Sequence, residues 1–315
     1  MTRNCLCGIF LAAYVLCAAA QPYASKPVRW VLPAQAGGAN DTAARLMAPR
    51  LSEALGQPVI VDNRGGAGGN IAMEVAAKAA PDGYTIAQVS TIQAMNASFY
   101  RKLQYDLVRD LAPVAELISL TTVMVVHPSV PARTAQELID YARANPGKLN
   151  FVSGTNGATG YYLKYLTGID MTVVLYRGTP PAVTELVGGQ GHVMVATTSD
   201  VMPFVKLGKL RALAVTSSTR RSPMFPDLPP LADAVPGFEN PIWYGVVAPV
   251  RTPAAIVKRL HAEFVQITQN AEIRQRLGAL GYEVTLGSSE QFGKRIRDEV
   301  AKWPKVVEAM GGPIN

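Results

Sequence analysis

WVLPAQAGGANDTAAR, residues 30–45, is the stretch of this chain from which the fold can be worked out. The apolar run Val28–Leu32 predicts a buried strand, and the alanine-rich segment after the Gly37-Gly38 turn predicts a helix. A strand, a glycine turn and a helix start leave backbone N–H groups aimed at one point, which is typical of an anion site. The alternative, which the local sequence alone favours, is an ordinary strand–helix connection in which the glycines only permit the turn.

The length and composition indicate a globular protein of about two α/β domains. The chain has 315 residues, of which 49% are hydrophobic and 17% are charged, so it can bury a large core. The formal net charge of +7 is spread along the chain, without a block of Lys and Arg interleaved with aromatic residues. Nucleic acid is therefore not an expected partner.

The N-terminus, residues 1–20, has the features of a secretory signal peptide. Arg3 is its single charged residue, the segment Cys7–Ala20 is apolar, and the alanines at 18–20 form a cleavage site before Gln21. A retained N-terminal anchor is the alternative. All three cysteines lie in this segment, so the mature chain is expected to have no disulfide and no thiolate metal site. Its three histidines are far apart, and we expect neither a metal nor a cofactor.

Strand-like and helix-like segments alternate along the rest of the chain, which predicts a mainly parallel sheet in each of two domains. The apolar stretch Leu111–Val126 is broken at 119–122 and is interpreted as a crossover between the domains. The proline-rich segment Ser217–Pro241 is interpreted as the return path, and Glu290–Met310 as a C-terminal helix pair perturbed at Pro304.

Five predicted strands are each followed by a small loop rich in glycine and hydroxyl groups and by a helix start. These loops are Ala34–Asp41, Ser90-Thr91, Ser153–Gly160, Gly178-Thr179 and Thr197–Asp200. Loops at the carboxyl ends of parallel strands form ligand sites, and N–H and O–H donors of this kind suit a carboxylate. Turn chemistry alone is the alternative. The sequence contains no Gly-x-Ser-x-Gly elbow, no Walker loop and no complete dinucleotide fingerprint, so we expect no catalytic residues and no enzyme.

Several motifs, in a consistent order, resemble one known family. They include the first stretch, LSEALGQPVIVDNR at 51–64, GAGGNI at 66–71, AAKAAPDGYT at 76–85, PGKLN at 146–150, YRGTPPA at 176–182 and GKLRALAVT at 208–216. The chain is similar to the Bug family, the periplasmic substrate-binding proteins of tripartite tricarboxylate transporters. The resemblance covers nearly the whole mature chain.

The resemblance implies an α/β two-domain periplasmic binding protein of the type II-like, Venus-flytrap kind, with a ligand cleft between domains and two crossover strands. Domain 1 would comprise residues 21–122 and 239–315, and domain 2 residues 123–238. The ligand would be a small carboxylate, such as a di- or tricarboxylate or an aromatic acid. The residues expected to grip one carboxylate are Ala36, Gly37, Gly38, Asn40 and Asp41 with Ser153, Thr155, Asn156 and Thr159.

Two departures from the family pattern concern the distal end of the ligand. Tyr161 stands where the family usually has histidine, and residues 191–196 read GHVMVA in place of the usual pattern with aspartates. Tyr161 and Thr197–Asp200 are therefore expected to select the ligand. The other residues assigned to the cleft are Ser90, Tyr176, Thr198 and Asp200.

The expected function is capture of the carboxylate in the periplasm, by a monomer, and delivery to the membrane subunits of a tripartite tricarboxylate transporter. The alternative is a periplasmic sensor that presents the bound carboxylate to a membrane receptor.

Overall fold

The computed structural model describes residues 23–37, 39–176, 178–216 and 225–313. The predicted signal peptide, the predicted ligand residue Gly38 and the first part of the return path lie outside these ranges. Across the described ranges, no helix combines the length and the apolar character needed to span a bilayer.

The first of two sheets, with its helices, forms the unit called lobe 1. Its strands are β1 (Val28–Leu32), β2 (Val59–Asn63), β3 (Thr85–Ser90), β4 (Leu111–Leu120), β10 (Ile242–Pro249) and β11 (Tyr282–Val284), in the order β11-β4-β10-β3-β1-β2. Its helices are α1 (Ala39–Leu55), α2 (Asn70–Ala77), α3 (Thr91–Phe99), α8 (Ala254–Gln269), α9 (Ala271–Ala279) and α10 (Ser289–Ala309). The predicted strand Val28–Leu32 is confirmed, as is the helix start predicted at Ser90-Thr91, whereas the extent of α3 and the strand β11 were not predicted.

The second sheet, with the remaining helices, forms lobe 2. Its strands are β5 (Thr122–Val126), β6 (Asn150–Ser153), β7 (Thr172–Leu175), β8 (Val193–Thr197) and β9 (Arg211–Val215), in the order β7-β6-β8-β5-β9. Its helices are α4 (Ala135–Ala144), α5 (Ala158–Thr167), α6 (Thr179–Val187) and α7 (Thr198–Lys206). The fold is therefore the predicted mixed α/β fold with two sheets.

Two connections join the sheets and bring the loops that are predicted to bind the ligand towards each other. Thr121 is the single residue between β4 and β5. It lies where the sequence predicts a break in the apolar stretch Leu111–Val126. The start of β5 pairs with the end of β8, Thr122 with Thr197, and the start of β10 pairs with the end of β4, Ile242 with Leu120. Because β1–β3 run parallel to β4 and β6–β7 run parallel to β8, the carboxyl ends of these strands in both sheets face the connections.

The core of lobe 1 covers both faces of its sheet. Trp30 and Phe264 meet edge to face on the side of α1 and α8, with ring centroids 5.3 Å apart. On the other side, Trp243 packs edge to face on Phe292 of α10 at 5.5 Å. Each of these rings is fully buried and contributes on the order of 1.5–3 kcal/mol of hydrophobic stabilisation. This core holds the cleft-side ends of β1 and β3 in fixed positions.

The C-terminal segment forms a single helix, α10, and the predicted helix pair is wrong. Pro304 lies inside α10, and the helix continues on both sides of it. The first half of α10 packs into lobe 1 through Phe292, whereas Trp303 joins the hydrophobic cluster that contains Phe151 of lobe 2. The two lobes therefore share one helix, in addition to the two connections.

Candidate functional site

The loop between β1 and α1 is held by one buried carboxylate. Asp41 is 3% exposed and accepts hydrogen bonds from the Gly37 N–H at 2.8 Å, from Asn63 Nδ2 at 3.0 Å and from Arg45 Nε at 2.8 Å. The Arg45 hydrogen bond, helped by those from Gly37 and Asn63, holds the pKa of this carboxyl below its usual range. Asp41 thus braces the loop, and Ala36 and Gly37 lie exposed at its surface.

We predict that Asp41→Asn destabilises the protein by about 1–2 kcal/mol at pH 7, because the charged hydrogen bonds of a buried carboxylate are lost. A carboxyl whose pKa is lowered by folding stabilises the protein above about pH 4, its ordinary pKa, and this contribution disappears as the pH falls through the lowered value. Urea unfolding at pH 7 and pH 3 should therefore show the difference between wild type and variant shrinking at pH 3.

Asp140→Asn is the matched control for this variant. The Asp140 side chain is 60% exposed, and its carboxylate lies 3.8 Å from Arg143 Nη1. Its effect should stay within about 0.5 kcal/mol at both pH values. An Asp41→Asn effect of equal size at pH 7 and pH 3 would show that the carboxylate charge does not brace the loop.

The glycine-rich loop 65–69 packs beside the β1–α1 loop and is anchored from α3. The Gly68 carbonyl accepts hydrogen bonds from Gln93 Nε2 at 2.9 Å and from Asn96 Nδ2 at 3.0 Å. Gly69 has a φ of 86°, and a side chain there would collide with Pro33 and Gln93. These two loops and the helix α3 therefore form one tightly packed wall of lobe 1.

Ser90, predicted to contact the ligand, is a helix cap in the structure. It is 1% exposed, its hydroxyl donates to Gln93 Oε1 at 2.8 Å, and the Ser90 N–H donates to the same oxygen at 2.9 Å. This capping box fixes the start of α3 directly after β3.

The matching wall of lobe 2 is the loop between β6 and α5. The Ser153 and Thr155 hydroxyls lie 3.1 Å apart, and Asn156 Oδ1 accepts from the Ala158 N–H at 3.2 Å. Gly154 lies against the backbone of Gly178 and Thr179, so close that a Cβ atom would collide with it. The loops after β6 and β7 are thus in direct backbone contact, which places their hydroxyl groups together.

Tyrosine and leucine side chains border this wall. Tyr161 and Tyr176 are half-buried, and Leu175 is 45% exposed. Leu175 and Tyr161 both lie beside Gly157, whose φ is 75°. The predicted distal residue Tyr161 therefore belongs to an apolar border beside the polar loop.

The start of α7 is close to both the connection and lobe 1. Thr198 is 3% exposed and its hydroxyl donates to the Thr121 carbonyl at 3.4 Å, whereas Asp200 is exposed and accepts from Thr197 Oγ1 at 2.5 Å. Burial, and secondarily the charge of Asp200, raises the pKa of Tyr282 in lobe 1 to about 12. Asp200 is thus near the lobe 1 surface that faces it.

Asn240, which the sequence analysis did not single out, lies in the second connection. Its Nδ2 donates to Thr159 Oγ1 in the first turn of α5 at 2.9 Å. The next residue, Pro241, accepts from Thr91 Oγ1 at the start of α3 at 3.2 Å. The connection therefore joins the helix starts of the two cleft walls.

A cavity of about 590 Å³, called the rear cavity, is bordered by the two connections and α10. Thr121, Glu239 and Pro241 of the connections line it, together with charged side chains of α10 such as Arg295 and Lys302. Lys302 Nζ lies 4.4 Å from the centre of the Tyr162 ring and donates to the Glu239 carbonyl. Burial lowers the pKa of Lys302. This rear cavity contains none of the predicted ligand residues.

The loops of the lobe 1 wall and the lobe 2 wall chiefly offer hydroxyl, amide and backbone N–H groups, which donate hydrogen bonds to an anion. Among the residues that the structure describes, no three His, Cys, Asp or Glu side chains are grouped to hold a metal ion. This arrangement is suited to binding an acid.

The chain is similar to several known proteins over nearly its whole length. Residues 43–312 match the model of the tripartite tricarboxylate transporter family receptor. The protein BugT of Bordetella pertussis is 32% identical over 98% of this chain and 97% of its own length. A protein encoded in the tcbD–tcbE intergenic region of Pseudomonas sp. strain P51 is 36% identical over 97% of this chain and 93% of its own.

Two solved structures hold dicarboxylates. An R. palustris protein with adipate is 33% identical, with a TM-score of 0.79 over 93% of this chain and 100% of that one. MatC of Rhodopseudomonas palustris with bound malate is 30% identical, with a TM-score of 0.76 over 90% and 99% of the two chains.

Proposed function

Since the chain belongs to the tripartite tricarboxylate transporter receptor family, we propose that it captures a small dicarboxylate between its lobes and delivers it to the membrane subunits of such a transporter. The observation that carries this proposal is the facing pair of loop walls at the carboxyl ends of strands in both sheets. The dicarboxylates in two related structures support the same ligand class.

In this proposal, one carboxylate lies between the β1–α1 loop and the β6–α5 loop. Backbone N–H and hydroxyl groups from both lobes replace the water lost by the anion when the lobes close. Ligand binding would then favour closure of the two lobes, because neither wall alone can surround the ligand.

We propose three roles for the predicted site residues. The residues that contact the proximal carboxylate are Ala36, Gly37, Gly38, Asn40, Ser153, Thr155, Asn156 and Thr159. The residues at the distal end of the ligand are Tyr161, Tyr176 and Asp200, and those that hold the loops in place are Asp41, Ser90 and Thr198. The last group makes the internal hydrogen bonds described above.

Isothermal titration calorimetry of the exported protein with adipate and malate tests this function. We predict a dissociation constant of about 1 μM or lower for at least one acid, or about −8 kcal/mol, because the closed lobes exclude water from the carboxylate. The uncharged diamide of adipic acid is the control and should produce no binding heat. Absence of binding by every mono-, di- and aromatic carboxylate in a panel would contradict the proposal.

The site of action is proposed to be the periplasm, where the protein would act as a monomer after loss of residues 1–20. An N-terminal sequence of the exported protein that begins at Gln21 is the corresponding check.

A further inference from the structure

His192 joins the starts of two strands of lobe 2. Its backbone N–H donates to the Asn150 carbonyl at 2.9 Å, and the Asn150 N–H donates to Nδ1 of the His192 ring at 2.9 Å. The side-chain amide of Asn150 also donates to the Gln190 carbonyl at 3.1 Å. These three hydrogen bonds, called the β6–β8 clamp, connect the first residue of β6 with the residues directly before β8.

The pairing of β6 with β8 depends heavily on this clamp. Within the described part of the chain, the ladder between the two strands is a single residue pair, Phe151 with Val193, whereas β6 pairs with β7 over four residues. From the clamp, β6 runs to Ser153 and β8 runs to Thr197, where the predicted ligand loops begin. A strand as short as β6 spans only about 10 Å. A change at the clamp is therefore close enough to move the lobe 2 wall.

The clamp requires a neutral imidazole at His192. A ring nitrogen that accepts a hydrogen bond carries a lone pair, whereas both nitrogens of an imidazolium carry protons. Protonated His192 therefore cannot accept from the Asn150 N–H, which is a partly buried donor. This hydrogen bond exists only while His192 is uncharged.

His127 is the titratable group that faces His192 from β5. The His127 N–H donates to the His192 carbonyl at 3.0 Å, so the two residues lie directly opposite each other on antiparallel strands and project from the same face. Burial, and secondarily the charge of His127, lowers the pKa of His192. His127 tolerates a proton more easily, because its Nδ1 lies 2.8 Å from the Ser129 hydroxyl, which can accept as well as donate.

The other charged residues on the surrounding elements are Glu185 of α6, Lys148 before β6 and Arg211 of β9. Lys148 Nζ donates to Asn145 Oδ1 at 3.1 Å, and Arg211 Nη1 donates to the Ala132 carbonyl at 2.8 Å. Both cations are thus held by other groups. The charge that acts on the His192 ring is that of His127.

We propose that His192 makes lobe 2 acid-sensitive: its protonation breaks the β6–β8 clamp, lets β6 move relative to β8 and weakens the hold of lobe 2 on the ligand. The effect on the ligand rests on the proposed function, whereas the effect on the fold does not. Because folding lowers the pKa of His192 from its ordinary value of 6.5, the clamp stabilises the protein above this pH. Its contribution is lost as the pH falls through the lowered value.

His192→Asn separates the hydrogen bond from its titration. The asparagine amide oxygen takes the place of Nδ1 and accepts from the Asn150 N–H at every pH. Between pH 7.5 and pH 5, the equilibrium constant for urea unfolding should rise at least about 5-fold more for wild type than for the variant. His261→Asn is the matched control, because the His261 ring pairs with the Val114 carbonyl in lobe 1, an acceptor that protonation does not disturb. It should keep the wild-type pH dependence.

Calorimetry with malate and adipate at the same two pH values tests the effect on the ligand. The affinity of wild type should fall at least about 3-fold more than that of His192→Asn, because only wild type loses the clamp in acid. Protonation of the acids themselves affects both proteins equally and cancels in the comparison. His192→Leu, which removes the acceptor, should bind more weakly than wild type already at pH 7.5.

The outcomes distinguish the clamp from the proposed function. Equal pH dependence of unfolding in wild type and His192→Asn overturns the clamp, and equal pH dependence of affinity overturns its control of binding. Failure of every carboxylate in the panel to bind at either pH contradicts the proposed function, while the unfolding series still decides the clamp. If His192→Asn does not fold, NMR of the wild type decides: an Asn150 amide resonance that does not follow the titration of the His192 ring contradicts the inference.

Discussion

Gly154→Ala is expected to weaken carboxylate binding by at least about 100-fold while the protein remains folded. A Cβ atom at this position would lie closer than 3.0 Å to backbone atoms of Gly178 and Thr179. Backbone cannot rotate away as a side chain can, so the loops after β6 and β7 must separate. Overpacking of this kind typically costs about 1–3 kcal/mol of stability. The hydroxyl groups of the lobe 2 wall would be displaced with the loop, and the loss in affinity follows from their displacement.

Gly83→Ala separates the loss of binding from general destabilisation. A Cβ atom there would collide with Ile256 and Tyr23 in lobe 1, before the start of β3 and thus at the end of this strand opposite the ligand loops. Both variants should therefore unfold at lower temperature than wild type in a thermal melt. Calorimetry should show lost affinity for Gly154→Ala alone. Equal affinity losses in the two variants would mean that the loop contact has no specific role in binding.

Gly37→Val is the second change with a large expected effect, a loss of affinity of about 100-fold. Gly37 has a φ of 83°, and the space around a Cβ atom is open, so valine fits sterically but strains the backbone. Since the Gly37 N–H already donates to Asp41, the side chain would act by covering the exposed surface of the loop and by disturbing that hydrogen bond.

Gly56→Val is the matched control, because it causes the same backbone strain as Gly37→Val at a position outside the cleft. Gly56 follows α1, has a φ of 65° and is likewise surrounded by open space. Each valine should cost at least about 1–2 kcal/mol of stability, from the left-handed backbone. If both variants retain wild-type affinity, the β1–α1 loop supports the fold and does not contact the ligand.

Local sequence patterns were sufficient to predict the elements that carry the loops. The strand Val28–Leu32 and the break between β4 and β5 follow from apolar runs and turn residues, which act over a few residues. The helix start after Ser90-Thr91 was predicted, but the extent of α3 was not, because this helix buries polar and apolar positions alike: Gln93 and Asn96 are at most 2% exposed, as is Phe99. No amphipathic stripe is left to recognise, since the polar side chains of α3 bind the glycine-rich loop.

The roles of single residues in the site were harder to predict. Asp41 was grouped with the ligand contacts, yet it braces its loop through Arg45 and through Asn63, 22 positions away. Asn240 lies in a proline-rich connection, and its partner Thr159 is 81 positions away. Such pairings depend on how the two sheets are joined. A local motif therefore indicates where donors gather, whereas the folded chain determines which of them remain available.

A crystal structure of the protein with a bound dicarboxylate such as malate or adipate tests the central claim most directly. The account predicts one carboxylate between the β1–α1 loop and the β6–α5 loop, within hydrogen-bonding distance of groups from both lobes. A dicarboxylate found in the rear cavity, or held by one lobe without contact to the other, would contradict it.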